Sequence, residues 1–459
     1  MSQPRVSAHV RPRTSLLLLT LLASPLLATV SARAQDFNID ITKGNTSIRL
    51  AAANFKPAGP DVAAFKTTFD SVLYADLNNA GIFDLVSKSL APQTTPGTQA
   101  EMDLSQWSTA PASAAMVAFG NLAVQGGHLV ATGILDDARN TQYPQVFTKQ
   151  YSDEPSDNAA RQLAHRFADD IVLRLGGGTL GIAESKIFYV KLGAPTKDGD
   201  TKEIWEMDYD GANQRQITHL GTVSLSPRVS PDNSRIAFST LGKNGFQIAM
   251  YSLLLGRQVT FSSVGGTNLS PAWSPTGQQL AFSSSRTGDP EIWISDPAGN
   301  LAHRVTNFRG PDVSPTFNPK SGAQIAWIAD RTGLPQLYIM DADGSGVTRM
   351  TDGGYATSPS WSPNGQFIAF AWDRKYGPGA PGGQDIYVME VATKRWIQLT
   401  HDGGRCDFPA WSPDGRHIVY ANSPDGHFPH TRIMTMLADG TQKRALTGPG
   451  TDMPNWSWK

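Results

Sequence analysis

Residues 271–277 read PAWSPTG, and the phrase returns as PSWSPNG at 359–365 and PAWSPDG at 409–415. Looser copies stand at 227–233 (PRVSPDN), 315–321 (PTFNPKS) and 454–458 (PNWSW). The opening prolines, Pro227, Pro271, Pro315, Pro359, Pro409 and Pro454, are therefore spaced by 44, 44, 44, 50 and 45 residues. A register kept over that distance is one structural unit written six times, and it decides the fold class before any single element is read. Four of the six copies carry Trp two residues after the proline.

Inside each S-P-x-G turn the proline presets φ and the Gly or Asn accepts the positive φ of a tight reversal, so a strand lies on either side. The runs that follow, RIAFST (235–240), QLAFSSS (279–285), QIAWIAD (324–330), FIAFAW (367–372) and HIVYAN (417–422), alternate or are wholly apolar. Second runs such as EIWISD (291–296), QLYIMD (336–341) and DIYVME (385–390) come next, and a shorter strand ends at Thr in QVT, RVT, RMT, QLT and ALT. Each unit is thus a four-stranded antiparallel sheet that cannot cover both faces by itself. Six of them stacked around an axis can, which is a six-bladed β-propeller. The first unit, Lys186 to Thr218, lacks the proline strand, whereas Asp452 to Trp458 supplies only that strand. The C-terminus is expected to complete the first blade and leave no open edge. The extra residues between Pro359 and Pro409 fall in RKYGPGAPGGQD (374–385), a Gly/Pro-rich insertion.

Ahead of the repeats the pattern changes to alternating strand and helix signals. NIDIT (38–42) and SIRLAAANF (47–55) read as strands, and Val62, Phe65, Phe69, Val72, Leu73 and Leu77 mark one face of a helix from Asp61 to Asn79. Asp61 is placed to cap that helix and Gly81 to end it. MVAFGNLAVQ (116–125), HLVATGILDDA (128–138) and PQVFTKQY (144–151) read as strands, and a second helix runs from Asp157 to Leu175 before Gly176 to Gly178 stop it. The expected organisation is an α/β domain over 35–180 and the propeller over 181–459. At the start, Arg5, Arg11 and Arg13 precede an apolar run from Leu16 to Val30, followed by Ala32-Arg33-Ala34. This is the pattern of a secretory signal over 1–34, cleaved before Gln35 and too short for the roughly 20 apolar residues of a membrane span. No later stretch has span-like character, so a soluble mature protein is expected.

The chain carries 39 basic and 40 acidic residues, a net charge of -1, and offers no basic field for nucleic acid. The single cysteine, Cys406, cannot form an intrachain disulfide and reads as a buried, inert thiol. No G-x-S-x-G elbow, H-E-x-x-H helix, P-loop or paired C-x-x-C occurs. Two G-x-G-x-x-G matches, Gly176/Gly178/Gly181 and Gly377/Gly379/Gly382, lack the strand-to-helix context of dinucleotide binding. Glu206-x-Asp208-x-Asp210-Gly211 opens like a calcium loop but has Ile217 where the closing Glu belongs. His427 with His430, and His165 with Asp169, could form ligand or proton-transfer pairs, or simply surface and interdomain hydrogen bonds. No catalytic residue, metal ligand or cofactor is assigned.

LAHRFADDIVLRLGGG (163–178), KIFYV (186–190) and the P-x-W-S-P-D-G repeats, behind a secretory signal, together resemble the TolB family over essentially the whole chain. That resemblance implies a non-enzymatic, monomeric periplasmic component of the Tol-Pal system, which supports outer-membrane integrity and constriction at division. It further implies that the Pal lipoprotein binds loops at the mouth of the propeller channel and that TolA binds the mature N-terminal segment. On this sequence the channel positions immediately precede the repeat prolines. They are Leu225 and Ser226; Asn268, Leu269 and Ser270; Asp312, Val313 and Ser314; Thr357 and Ser358; Asp407 and Phe408; and Asp452 and Met453. The TolA segment would be Gln35, Asp36, Phe37, Asn38, Ile39, Asp40 and Ile41, a stretch that reads equally well as an ordinary first strand. The sequence departs from the family pattern at the KSGA turn (320–323), at Arg228-Val229 and in the insertion. A secreted propeller that binds a small ligand or carbohydrate, or a propeller enzyme, is the competing reading. It would need convergent charged groups at the inner loops, where Asp312, Asp407 and Asp452 are the only acids.

Overall fold

The computed structural model describes residues 47–197, 199–262, 265–377 and 383–458. The signal segment, the NIDIT strand, the Gln35 to Ile41 stretch and residues 378–382 of the insertion, with Gly379 and Gly382, lie outside the described residues.

The first part of the chain forms a sheet from β1 (Ile48–Ala52), β2 (Lys56–Ala58), β3 (Phe83–Leu85), β4 (Met116–Gln125), β5 (His128–Asp137) and β6 (Gln145–Asp153). Strand order is β3-β1-β4-β5-β6 with β2 beside β4; β1 runs parallel to β3 and β4, while β4 to β6 form an antiparallel meander. Helices α1 (Ala63–Asn79) and α3 (Asp157–Leu175) share one core with this sheet, in which Phe69, Leu73, Leu163 and Phe167 meet Leu50 and Leu122. The approach is close: a Cβ at Gly133 would lie 2.6 Å from the Phe167 ring. The short α2 (Leu104–Ser108) places Trp107 in a second core with Val117, Phe119 and Ile134.

The long elements fall where the periodicity puts them, but the start of α1 is a correction. Pro60 to Val62 form a single 3-10 turn whose Pro60 carbonyl accepts the Ala63 N–H, and Asp61 is exposed within it. Val62 occupies the cap position with no side-chain bond, because a proline-led turn already satisfies that end backbone to backbone. At α3, Ser156 caps, its side chain accepting the Ala159 N–H at 3.0 Å. The segments β2, β3 and α2 are three to five residues long, too short to show a period.

Six four-stranded sheets follow. Their innermost strands are Ser224–Val229, Asn268–Trp273, Asp312–Phe317, Tyr355–Trp361, Arg405–Trp411 and Thr451–Trp456, and each packs on the next until the last meets the first. Counting from the N-terminal side, these belong to blades 2, 3, 4, 5, 6 and 1. Blade 1 draws its other three strands from Lys186–Leu192, Lys202–Asp208 and Arg215–Gln216, and its inner strand from the C-terminus, with Thr451 opposite Lys191 and Trp456 opposite Ile187. The expected closure is therefore realised. The KSGA departure is a turn one residue longer, closed by Gly322 N–H on the Asn318 carbonyl where its counterpart closes Gly277 on Ser274.

Two side-chain devices account for letters of the repeat. The indole N–H of Trp273, Trp361 and Trp411 donates to the carbonyl of Arg228, Thr316 and Ser360 respectively, at 3.0, 3.2 and 3.1 Å. Each bond ties an inner strand to that of the preceding blade, so the aromatic supplies apolar area and a directional clasp together. At the outer end, Thr218, Thr306, Thr351, Thr400 and Thr447 each accept a backbone N–H from the third strand of their blade, from Ile204, Ile292, Leu337, Ile386 and Ile433. The first four also donate to Glu203, Glu291, Gln336 and Asp385. The repeated terminal Thr thus satisfies polar groups that blade stacking removes from water.

The sheet-and-helix region rests on the turn end of blades 6 and 1. His417 Nε2 donates to the Asn79 carbonyl at 2.7 Å and Arg416 to the Ala80 carbonyl at 3.3 Å, two cations or donors at the C-terminus of α1 where carbonyls lack helical partners. Asp76 of α1 accepts from His165 of α3 at 2.7 Å and from Tyr209 of blade 1 at 2.5 Å. Arg161 of α3 reaches Asp210 at 2.7 Å.

Candidate functional site

A non-glycine residue with left-handed backbone precedes every repeat proline. Ser226, Ser270, Ser314, Ser358, Phe408 and Met453 have φ between 50° and 54°. In each blade the pairing of first and second strand slips at this point, as between Leu225 and Arg228 or Asp407 and Ala410. Proline has no N–H to give the ladder, so the chain bulges there and turns the two residues before it toward the start of the inner strand. Six such bulges converge on one mouth of the channel. That mouth is at the opposite end of the inner strands from the turns that carry Arg416 and His417, so the sheet-and-helix region does not cover it.

The bulges bring most of the expected positions together. Leu225, Ser226, Leu269, Ser270, Val313, Ser314, Thr357, Ser358, Phe408 and Met453 are all partly exposed. The other four, Asn268, Asp312, Asp407 and Asp452, are buried. Asn268 is 1 % exposed and its amide donates to Gln247 and to the Gly265 and Gly266 carbonyls. Asp312 is fully buried and paired with Arg331 at 2.7 Å, which corrects its reading as one of three acids at the mouth. Asp312 lies three residues before its proline, whereas Asp407 and Asp452 lie two before theirs; these two are also buried, but they share Arg405, which stays partly exposed beside a groove.

Asp407 and Asp452 form a mixed-charge network that extends into blade 5. Arg405 meets Asp407 at 2.7 Å and Asp452 at 3.8 Å. Thr357 donates to Asp407 at 3.2 Å, and Gln384 donates to Thr357 at 2.6 Å. A groove of about 600 Å³ opens beside it, lined by Tyr355, Tyr376, Gln384, Arg405 and Asp407 among others. Arg405 and Gln384 were not singled out from sequence, although Arg405 sits on the same strand face as Asp407 and could have been found by its period-two spacing.

Burial lifts the Asp452 carboxyl to about 6, with Arg405 opposing the shift and Asp407 adding to it. A carboxyl raised on folding keeps its proton while the unfolded chain loses it, so stability falls as pH climbs from the unfolded value near 3.8 to about 6. Asp452→Asn should gain on the parent across that window by at most about 3 kcal/mol. Urea unfolding at either end of the window reads the difference, and a gap that does not change with pH would remove this assignment.

The remaining candidates are structural. His165 pairs with Asp76, while Asp169 accepts the Ala183 and Glu184 N–H groups at 2.9 and 3.2 Å. His430 is exposed and bonded to Asp425. Glu206, Asp208 and Asp210 face Arg215, Lys186 and Arg161. Cys406 is buried, and desolvation raises its thiol above the usual range, as an inert cysteine requires. Among the described residues no helix is long and apolar enough to cross a membrane.

Two family models match the chain: a TolB beta propeller domain over residues 175–459 and a TolB amino-terminal domain over 37–143. The Tol-Pal system protein TolB of Gluconobacter oxydans is 34% identical over 355 residues, which is 76% of this chain and 74% of that protein. A TolB homolog from Chlorobium chlorochromatii is 30% identical over 302 residues, 65% of this chain and 66% of the relative. The crystal structure of TolB from Acinetobacter baumannii has the same fold, with a TM-score of 0.74 at 23% identity, covering 90% of this chain and 98% of that one.

Proposed function

The chain belongs to the TolB family, and from that premise we propose that it is a non-enzymatic, periplasmic component of a Tol-Pal system, binding the Pal lipoprotein at the channel mouth and TolA through residues 35–41. The observation that carries the reading is the convergence of six proline-preceding bulges on a mouth left uncovered at the far end from the sheet-and-helix region. Such a surface suits a protein partner. It combines apolar Leu225, Leu269, Phe408 and Met453 with the polar Thr357-Asp407-Arg405 network, the apolar-core and polar-rim composition of a specific interface. Its charges are paired with each other, and among the described residues of this surface no free acid stands beside a free base as acid-base catalysis would need.

Calorimetric titration with the soluble domain of the same organism's Pal tests this. Saturable one-to-one binding is expected, weakened by about tenfold or more in Phe408→Asp or Leu269→Asp, because a charge is then desolvated at the contact. Absence of binding by folded protein, or binding indifferent to both variants, would refute the channel-mouth assignment.

A further inference from the structure

The other end of the channel holds a chamber of a different character. The six residues one past the repeat prolines, Arg228, Ala272, Thr316, Ser360, Ala410 and Asn455, ring a space of about 110 Å³ walled largely by Trp273, Trp361, Trp411 and Trp456. Arg228 is the one charged side chain in that lining. Its Nη1 donates to the Pro227 carbonyl at 2.9 Å, and among the described residues no carboxylate pairs with it. Desolvation pulls its pKa down to about 10 with no opposing charge, so the guanidinium is still a cation at neutral pH. Its ring neighbour Asn455 commits Oδ1 to the Val229 N–H at 3.0 Å, which leaves the amide NH2 as a second donor. Thr316 and Ser360 add hydroxyls across the ring, their carbonyls being held by the Trp361 and Trp411 indoles. Arg228 is partly exposed, but a cation drawn this far from water is still costly unless a counter-ion meets it, and this lining offers donors and no acid to meet it with.

We infer that the chamber is a binding site for a small monocarboxylate, its oxygens on Arg228 and the Asn455 amide and its alkyl end against the tryptophan faces. One positive charge matches a monoanion and would leave a phosphate dianion undercompensated. The planar guanidinium suits the two oxygens of a carboxylate. Size agrees, since a cavity of roughly 150 Å³ takes up benzene; acetate or propionate fits here and a sugar or nucleotide does not. The site is independent of partner binding at the mouth, because it lies at the other end of the inner strands.

The test exchanges sodium chloride for sodium propionate at constant ionic strength, following tryptophan fluorescence and calorimetric heat. A crystal soaked in bromoacetate then locates the bromine. The parent protein should show a saturable single-site isotherm, about tenfold or more weaker in Arg228→Met, with Arg228→Lys between the two and bromine density in the chamber. No saturation by about 20 mM propionate, equal affinity in a folded Arg228→Met protein, or bromine elsewhere would overturn the proposal. Should Arg228→Met not fold, Asn455→Leu and the bromine position decide the matter in the same way.

Discussion

A chain ended at Gly450 should fail to give a folded monomer, with circular dichroism lacking a cooperative melt and size-exclusion chromatography showing expanded or aggregated species. The missing strand, Thr451–Trp456, is the inner strand of blade 1 and pairs with Lys186–Leu192. Its loss exposes one edge of that strand and breaks the ring between blades 6 and 2, both of which pack on it. Trp456 alone is 4 % exposed and donates its indole N–H to Ser185 at 2.7 Å, and Asn455 holds the Val229 N–H. Truncating one buried tryptophan costs about 3–5 kcal/mol, so removing the whole strand with its ladder is comparable to the roughly 5–15 kcal/mol that holds a typical domain folded. Trp456→Ala is the graded version and should lose about 3–5 kcal/mol in urea unfolding. A truncated chain that melts cooperatively within a few degrees of the parent would mean that the ring does not depend on its last strand.

The second large effect is expected where α1, α3 and blade 1 meet. Asp76 is 5 % exposed and bonded to both His165, which is fully buried, and Tyr209, which is 2 % exposed. Burial pushes the Asp76 carboxyl up, against the pull of His165 and Tyr209; the His165 imidazole is raised because its partner outweighs its own burial. Asp76→Ala strands two buried polar groups and should cost about 3–5 kcal/mol. The double variant Asp76→Leu, His165→Leu should lose clearly less than the sum of its singles, since apolar replacement of a whole buried pair is often nearly neutral. Additive losses, or a loss below about 1 kcal/mol for Asp76→Ala, would show that the pair does not hold this junction. Because Tyr209 belongs to the propeller, limited proteolysis of the Asp76→Ala protein should cut first between Leu175 and Lys186.

How legible the molecule is differs sharply between its parts. The three long strands and both long helices of the first region, and the closure of the propeller, follow from periods of two, three and four residues and from the repeated proline. Those signals are local, so no neighbour has to be known to read them. The terminal Thr and the repeated Trp are equally visible as letters, but their use is not. Trp361 bonds a carbonyl 45 residues earlier in the chain and Trp411 one 51 residues earlier.

The binding face shows the same division. That two residues before each proline approach the channel was readable from the repeat, whereas the left-handed φ that delivers them was not, because residues before proline ordinarily prefer extended backbone. Asp312 and Asp407 look alike in sequence. Both are buried ion pairs, and only the partner separates them: Arg331, in the loop after the next strand of its blade, takes Asp312, whereas the partly exposed Arg405 takes Asp407 beside the groove.

By itself the sequence determined the repeat, the blade count, the strand that closes the ring and the absence of familiar catalytic motifs, since turn chemistry and periodicity are properties of short stretches. The tertiary structure decided which charged groups are spent on each other, which mouth is left uncovered, and that Arg228 stands in the channel without a counter-ion. Electrostatic partnership depends on what folding brings within a few ångströms and on how much water it excludes, and neither is written in the spacing of residues along the chain.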